Sequence, residues 1–322
     1  MKTFYTKDLK FGMSIFSETF CVKSFRRANT KDNKPYIDIE LTDKTGSIKG
    51  KVWQDSIDKI EAVNEGDVVI VDANIESFKD NLQLRVLKLK KTDEYDSADL
   101  LSVSEFDLET MFLELQDEIA KIKNKNLVKL LNNIFTKDFS EKFKKSSAAY
   151  RVHHSYQGGL LEHTVEMLRF VDPIVKSYPK INADILRTGV ILHDTGKVQE
   201  FATTSTTTIT TEGKLLGHIF MGAELVKHSA PKDMPETLLN EILHVILSHH
   251  GELEFGSPIK PKTAEAIALS MLDNVSSKIN SAYTTIHADE GDSEFTGYHK
   301  QLGTELYRSP YLNPLINEDL PF

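Results

Sequence analysis

The sequence predicts a multidomain protein, an N-terminal all-β OB-like barrel followed by an all-α helical domain. Three observations carry this reading. Apolar and polar residues alternate with period two between Gly12 and Lys91. Past an acidic connector at 94–101, apolar residues recur every three or four positions, the period of a helix with one buried face. All eleven histidines lie in that second part.

The elements follow in order. An opening strand is expected near Ser14–Arg26. Pro35–Leu41 and Ser47–Trp53 both alternate, and Asp43-Lys44-Thr45-Gly46 supplies the turn between them, so the pair reads as a hairpin. Gly66–Val71 and Leu82–Leu87 add two strands around Lys79-Asp80-Asn81, and a short helix is expected near Ser56–Val63. About five strands suit a small closed barrel, of which the OB-fold is the commonest. Met111, Leu115, Ile119 and Ile122, then Leu127, Leu130, Leu131 and Ile134, mark the first helices. Helical patterning is expected to run to about Tyr307, with Pro310 and Pro314 in a loose tail. Thr203–Thr211 interrupts it: seven of nine residues are Thr, which suits a strand pair, and a surface hairpin is favoured there over a catalytic lid. The expected division is 1–95 barrel, 96–150 helical connector, 151–310 histidine-bearing helical domain and 311–322 tail.

Composition narrows the function. The chain has 322 residues, 40% hydrophobic and 27% charged, as in ordinary globular proteins. Cys21 is its only cysteine, which excludes an intramolecular disulfide and a thiolate zinc site. No apolar run approaches the roughly 20 residues that span a bilayer, and the N-terminus is too polar for a signal peptide. A cytoplasmic protein with no membrane partner is expected. The net charge of −9 argues against a general nucleic-acid coat protein, but its distribution matters more. Residues 1–95 carry a net +1 and the remainder −10, so the excess acid lies in the half where the histidines gather.

Those histidines are His153-His154, His163, His193-Asp194, His218 and His249-His250, followed by Asp273. A lone histidine is usually a satisfied polar side chain. The joint pattern reads as a metal set, because imidazole and carboxylate suit Mn, Fe, Co, Ni or Zn and no cysteine set competes.

Gly158-Gly159-Leu160-Leu161-Glu162-His163-Thr164, then Ile191-Leu192-His193-Asp194-Thr195-Gly196-Lys197, then Asp273, resemble the HD-domain phosphohydrolase superfamily. His218 and Ser248-His249-His250-Gly251 resemble its two-metal branch. With the barrel, with His153-His154-Ser155-Tyr156-Gln157 ahead of Gly158, and with Ser248-His249-His250-Gly251-Glu252-Leu253-Glu254-Phe255-Gly256-Ser257-Pro258, nearly the whole chain is similar to the YhaM-type 3′-to-5′ exoribonucleases. That resemblance implies removal of nucleotides from the 3′ ends of single-stranded RNA, with some activity on single-stranded DNA. It also implies two divalent ions, Mn²⁺ foremost, with Co²⁺, Fe²⁺, Ni²⁺ or Zn²⁺ as alternatives. The family pattern carries a second Asp three residues after Asp273, where this sequence has Ser276. Two readings of other classes stand beside this one: a phosphohydrolase of small or cyclic nucleotides with a regulatory barrel, and a nucleic-acid-binding protein with an inactive metal site. A homo-oligomer is compatible with the helical faces.

The expected ligands are His163, His193, Asp194, His218, His249 and Asp273, and the resemblance makes Asp194 the bridge between ions. His250 is either a further ligand, a donor behind the ligands or a substrate contact. Arg151 and His154 are candidates to steady charge on the scissile phosphate, against an Arg merely packed at a helix start. Lys197, one helical turn after Asp194, either contacts phosphate or protonates the leaving group, or is a solvated surface lysine. In the barrel, candidate nucleic-acid contacts are Phe25, Arg26, Arg27, Tyr36, Lys49, Lys51, Trp53 and Phe78, since aromatic faces stack on bases and cations follow phosphates. For each aromatic, filling the core is the favoured reading.

Overall fold

The computed structural model describes residues 2–30, 32–78, 81–101, 103–149, 156–203, 207–288 and 293–311. Strands β1 (Ser14–Asn29), β2 (Pro35–Asp43), β3 (Gly46–Val52), β4 (Val68–Phe78) and β5 (Asn81–Lys91) close a barrel in the order β1-β2-β3-β5-β4. All pairs are antiparallel except β3 with β5. β1 closes it by serving two neighbours. Its first half pairs with β4 and its second half with β2, and register shifts after Ile15 and after Val22 bend it between them. Ser17, at φ 55°, lies in the first of these bulges. Alternate residues point inward and are buried, among them Ile37, Ile39 and Leu41 on β2, Val69, Val71, Ala73 and Ile75 on β4, and Leu84 and Val86 on β5. Burying each larger aliphatic side chain contributes about 1.5–3 kcal/mol, which outweighs any local preference.

The connector is tied to the barrel rather than hanging from it. The Asp99 side chain accepts from Tyr5 Oη, pairs with Lys44 Nζ at 3.5 Å, and its carbonyl accepts from Lys44 N. Helices α1 (Leu108–Ala120), α2 (Lys125–Ile134), α3 (Lys137–Lys145), α4 (Gly159–Arg169), α5 (Val171–Ser177), α6 (Ala183–Leu192) and short α7 (Lys197–Glu200) follow. After a two-stranded ribbon come α8 (Thr211–Ser229), α9 (Glu236–Leu247) and α10 (Ala264–Ala288). Caps begin several of them where the sequence offers short polar side chains. Asp107 accepts from Thr110 N, Asn124 from Asn126 N and Leu127 N, and Asn182 from Asp184 N and Ile185 N. One core runs through Leu115, Leu127, Leu131, Leu161, Val165, Leu186, Val190, Val245, Ile246 and Leu269. Within it, buried Arg187 donates to Glu118 at 2.7 Å and to Asp172, joining α6 to α1 and α5. Among the described residues no helix is long and apolar enough to cross a membrane.

Several expectations are corrected. The short helix is a 3-10 turn over Gln54–Lys59. Helix does not reach Tyr307: α10 ends at Ala288, and β-bridges Phe295–Tyr307 and His299–Thr304 replace it, in a stretch whose glycines disfavour helix. The threonine-rich segment is a strand pair, β6 (Phe201–Thr203) with β7 (Thr207–Ile209), as expected. Among its described residues Thr207 is buried and Phe201, Ala202, Thr208 and Ile209 are half-buried. Nor do the barrel aromatics all fill the core. Phe25 packs against it, but Tyr36 and Trp53 form a half-buried ring pair 5.8 Å apart. Phe78 is 59% exposed because it lies beyond Ile75, the last interior position of β4.

Candidate metal centre

α6 is buried without a break from Ile185 to Leu192, with Ile185, Leu186, Val190, Ile191 and Leu192 in the core and Arg187 held there by its carboxylate partners, so its C-terminal end lies inside the domain. The chain leaves it through His193, Asp194, Thr195 and Gly196, all buried. Thr195 Oγ1 donates back to the Leu192 carbonyl at 2.8 Å and fixes the turn. Gly196 has ordinary helical angles; it is glycine because of what it touches. A Cβ there would lie 2.1 Å from the His218 carbonyl oxygen and 2.6 Å from Gly222 N. That close approach seats α8 against the turn. Gly217, at φ 72°, breaks α8 just before His218 and aims its ring inward. α4 supplies His163, the end of α9 supplies His249 and His250, and α10 supplies Asp273.

Asp194 stands in the middle. Its Oδ2 lies 3.2 Å from His193 Nε2 and 3.7 Å from His163 Nε2, while its Oδ1 lies 3.6 Å from both His218 Nε2 and His249 Nε2. Asp273 Oδ1 is 3.4 Å from His163 Nε2. Two trios therefore present converging donor atoms, His163–His193–Asp273 and His218–His249–His250, each within 4.8 Å. Asp194 directs one carboxylate oxygen toward each.

The donor set fits divalent cations. Asp194 Oδ1, His218 Nε2 and His249 Nε2 are buried and have no hydrogen-bond partner, and buried polar atoms are rarely left so without a ligand. The far nitrogen of every ring is anchored. His193 Nδ1 donates to the Val190 carbonyl (2.8 Å), His249 Nδ1 to the Ile246 carbonyl (2.6 Å) and His250 Nδ1 to the Phe255 carbonyl (2.8 Å). His218 Nδ1 pairs with Glu200 Oε2 at 3.0 Å, and His163 Nδ1 is 2.8 Å from Ser276 Oγ. A proton held on Nδ1 leaves the Nε2 lone pair free for a metal.

Electrostatics agree. Burial alone would raise the Asp194 pKa, but the Lys197 ammonium and His193 outweigh it and hold the carboxyl well below its usual range. Asp273 is likewise held down, burial being overcome by its bond to His163. Burial lowers His249, and burial with the adjacent His249 charge brings His250 down to about 4, so both rings are neutral near pH 7.

Of the residues singled out from sequence, the structure brings His163, His193, Asp194, His218, His249 and Asp273 together and adds His250 to the second trio. Lys197 is buried with Nζ 2.7 Å from Asp194 Oδ2, which removes the solvated alternative. Arg151 and His154 lie outside the described residues. Glu200, behind His218, and Glu166, behind Ser276, are additions; Ser276, the departure from the family pattern, faces His163 Nδ1. The spacing of Glu166, one turn after His163, was the available signal for one of them. In the barrel, Lys49, Lys51 and Phe78 line one groove of about 820 Å³, whereas Arg27 borders a neighbouring hollow with Tyr36. Arg26 is exposed opposite Asp38. Lys51 is tied up in part, 2.7 Å from Asp38 and over the Tyr36 ring.

Barrel and centre together define an OB-fold domain joined to an HD domain. The HD domain family model matches residues 160–278, and the OB-fold nucleic acid binding domain model matches residues 22–92. The chain is 32% identical over 271 residues to the 3′-5′ exoribonuclease YhaM of Oceanobacillus iheyensis, covering 82% of this chain and 84% of that protein. It is 33% identical over 263 residues to that of a Geobacillus species, covering 80% and 81%. It belongs to the YhaM family. Among solved structures, the second OB-fold domain of replication protein A from Methanococcus maripaludis matches at 20% identity and TM-score 0.24, covering 29% of this chain and 97% of that domain.

Proposed function

We infer that this protein is a metal-dependent 3′-to-5′ exoribonuclease acting on single-stranded RNA. The observation that supports this most is the pair of donor trios meeting at Asp194, in a chain whose other domain is an OB barrel. His163, His193 and Asp273 would hold one divalent ion and His218, His249 and His250 the other, with Asp194 between them. Bound there, the ions supply charge for the phosphate oxygens and activation of the attacking water. The protein's own share is positional. The anchored rings keep every Nε2 directed inward without rearrangement, and burial of the set keeps bulk water from screening it. Lys197 holds Asp194 ionised and in place. The barrel groove at Lys49 and Phe78 captures the strand by charge and stacking, and residues 1–95 act as the capture domain ahead of the helical connector and the catalytic unit.

The experiment uses 5′-labelled and 3′-labelled single-stranded RNA with Mn²⁺, with chelator, and with Asp194→Ala. The expected result is a 5′-labelled ladder shortening from the 3′ end with early release of the 3′ label, abolished by chelator and by the substitution. Intact RNA alongside turnover of free or cyclic nucleotides would refute the assignment.

A further inference from the structure

Five imidazoles face the centre, and the atoms behind them differ in kind. Four Nδ1 atoms meet groups that can only accept: the carbonyls of Val190, Ile246 and Phe255, and the Glu200 carboxylate. Each of those fixes its ring unaided. The fifth, His163, meets the Ser276 hydroxyl at 2.8 Å, and a hydroxyl can donate or accept. Left to itself, Ser276 would be as well satisfied by donating to Nδ1, which would put the ring proton on Nε2, where a metal would have to bind.

Glu166 removes that freedom. Its Oε2 accepts from Ser276 Oγ at 2.7 Å. A carboxylate has no proton to give, so the serine O–H points to Glu166 and the serine lone pairs are left for the ring. His163 must then carry a proton on Nδ1, and its Nε2, 3.4 Å from Asp273 Oδ1 and 3.2 Å from His193 Nε2, is the atom left to give its lone pair to an ion when one is bound. The parts are knit by helix periodicity. His163 and Glu166 are one turn apart on α4, Asp273 and Ser276 one turn apart on α10, and the two helices pack together.

We propose that Glu166 is a positioning residue that acts through Ser276 to set the tautomer of His163, and so sets the affinity of the ion held by the His163–His193–Asp273 trio. The proposal rests on reading that trio as metal ligands. It assigns the acceptor role, filled directly by a carboxylate at His218, to a two-residue relay at His163.

Binding of Mn²⁺ to the full chain, followed by calorimetry and by the paramagnetic signal of free Mn²⁺, tests it without any RNA. Removing a group behind a metal-bound histidine typically weakens affinity 10–100-fold. Glu166→Ala and Ser276→Ala should each weaken one of two sites by that much. The pair together should weaken it no further, since they break one chain. Glu166→Ala combined with Ser276→Asp should recover most of the loss, because an acceptor-only carboxylate then faces Nδ1 directly. A role in packing alone would not give that rescue. In the metal-free protein, long-range ¹⁵N–¹H spectra of the histidines should show the His163 proton on Nδ1 and its redistribution in Glu166→Ala. Unfolding midpoints of the metal-free variants close to the parent would confirm that the fold is kept. Two sites of parental affinity in Glu166→Ala, or no rescue by Ser276→Asp, would overturn the relay alone. A parent protein that binds no Mn²⁺ would overturn the metal reading along with it.

Discussion

Gly196→Ala separates two effects of opposite sign. At φ −63° and ψ −22° the residue is in helical geometry, where alanine is unstrained. On backbone grounds alone, the substitution should therefore stabilise the protein by about 0.4–1 kcal/mol, through the reduced freedom of the unfolded chain. The contact says otherwise. The new Cβ would sit 2.1 Å from the His218 carbonyl oxygen, 2.6 Å from Gly222 N and 2.9 Å from the His218 carbonyl carbon, where ordinary contacts are 3.4–4 Å. All three are backbone atoms, so no rotamer relieves the clash, and α8 must move off the turn by more than an ångström. Overpacking in a tight interior costs about 1–3 kcal/mol when side chains can adjust, and this site lies at or above the upper end. Net destabilisation of about 2 kcal/mol or more is expected. Urea unfolding of the metal-free protein measures it, and the same shift should separate His218 from Asp194 and weaken ion binding. A variant as stable as the parent, or more so, would refute the close approach of α8 to this turn.

Arg187→Ala should cost about 1.5–3 kcal/mol, because it removes the charged hydrogen bond to Glu118 Oε2 from the core while Lys121 still pairs with Oε1; a loss under 1 kcal/mol by denaturation would contradict the buried pair. Phe78→Ala should weaken single-stranded RNA binding by about 1–3 kcal/mol if the exposed ring stacks on a base. Lys49→Ala should lower the slope of log affinity against log salt by about 0.7, and an unchanged slope in anisotropy titrations would take the groove out of the binding path. His250 provides a pH signature. Its folded pKa, about 4, is below the unfolded value near 6.5, so between these the unfolded chain binds more protons. Stability of the metal-free protein should thus fall as pH drops from about 6.5 toward 4, by on the order of 3 kcal/mol from this group. The His250→Asn variant should lack that component, and parallel curves for parent and variant would exclude it.

How far the sequence could be read depends on what each feature needs. The alternation in Pro35–Leu41 and Ser47–Trp53 is a property of consecutive residues, so strands and hairpin were legible. The bulges of β1 were not, because closure of the barrel, rather than any local preference, demands them. His163, His193-Asp194, His218, His249 and Asp273 announced themselves by chemical type and motif. Glu200 and Glu166 did not, since a single carboxylate on a helix looks like solvated surface until the facing helix is in place, and Ser276 stood out only as a departure from the family pattern, with no partner assigned. Phe78 was legible only as an alternative between core and contact: an aromatic at a strand end alternates like an interior residue, and the barrel's rim shows which way it points.

The proposed ligands span residues 163 to 273, on five stretches of chain. Asp273 lies in α10, which is synthesised after every other contributor. Domains form as the chain emerges, so a nascent polypeptide can complete the barrel and most of the helical core while one donor trio still lacks its carboxylate. Hydrolytic competence would then arise only once residue 273 has cleared the ribosome. A chain that ends before residue 273 would keep the barrel sequence and four of the five contributing stretches, yet the trio of His163 and His193 would have no carboxylate of its own.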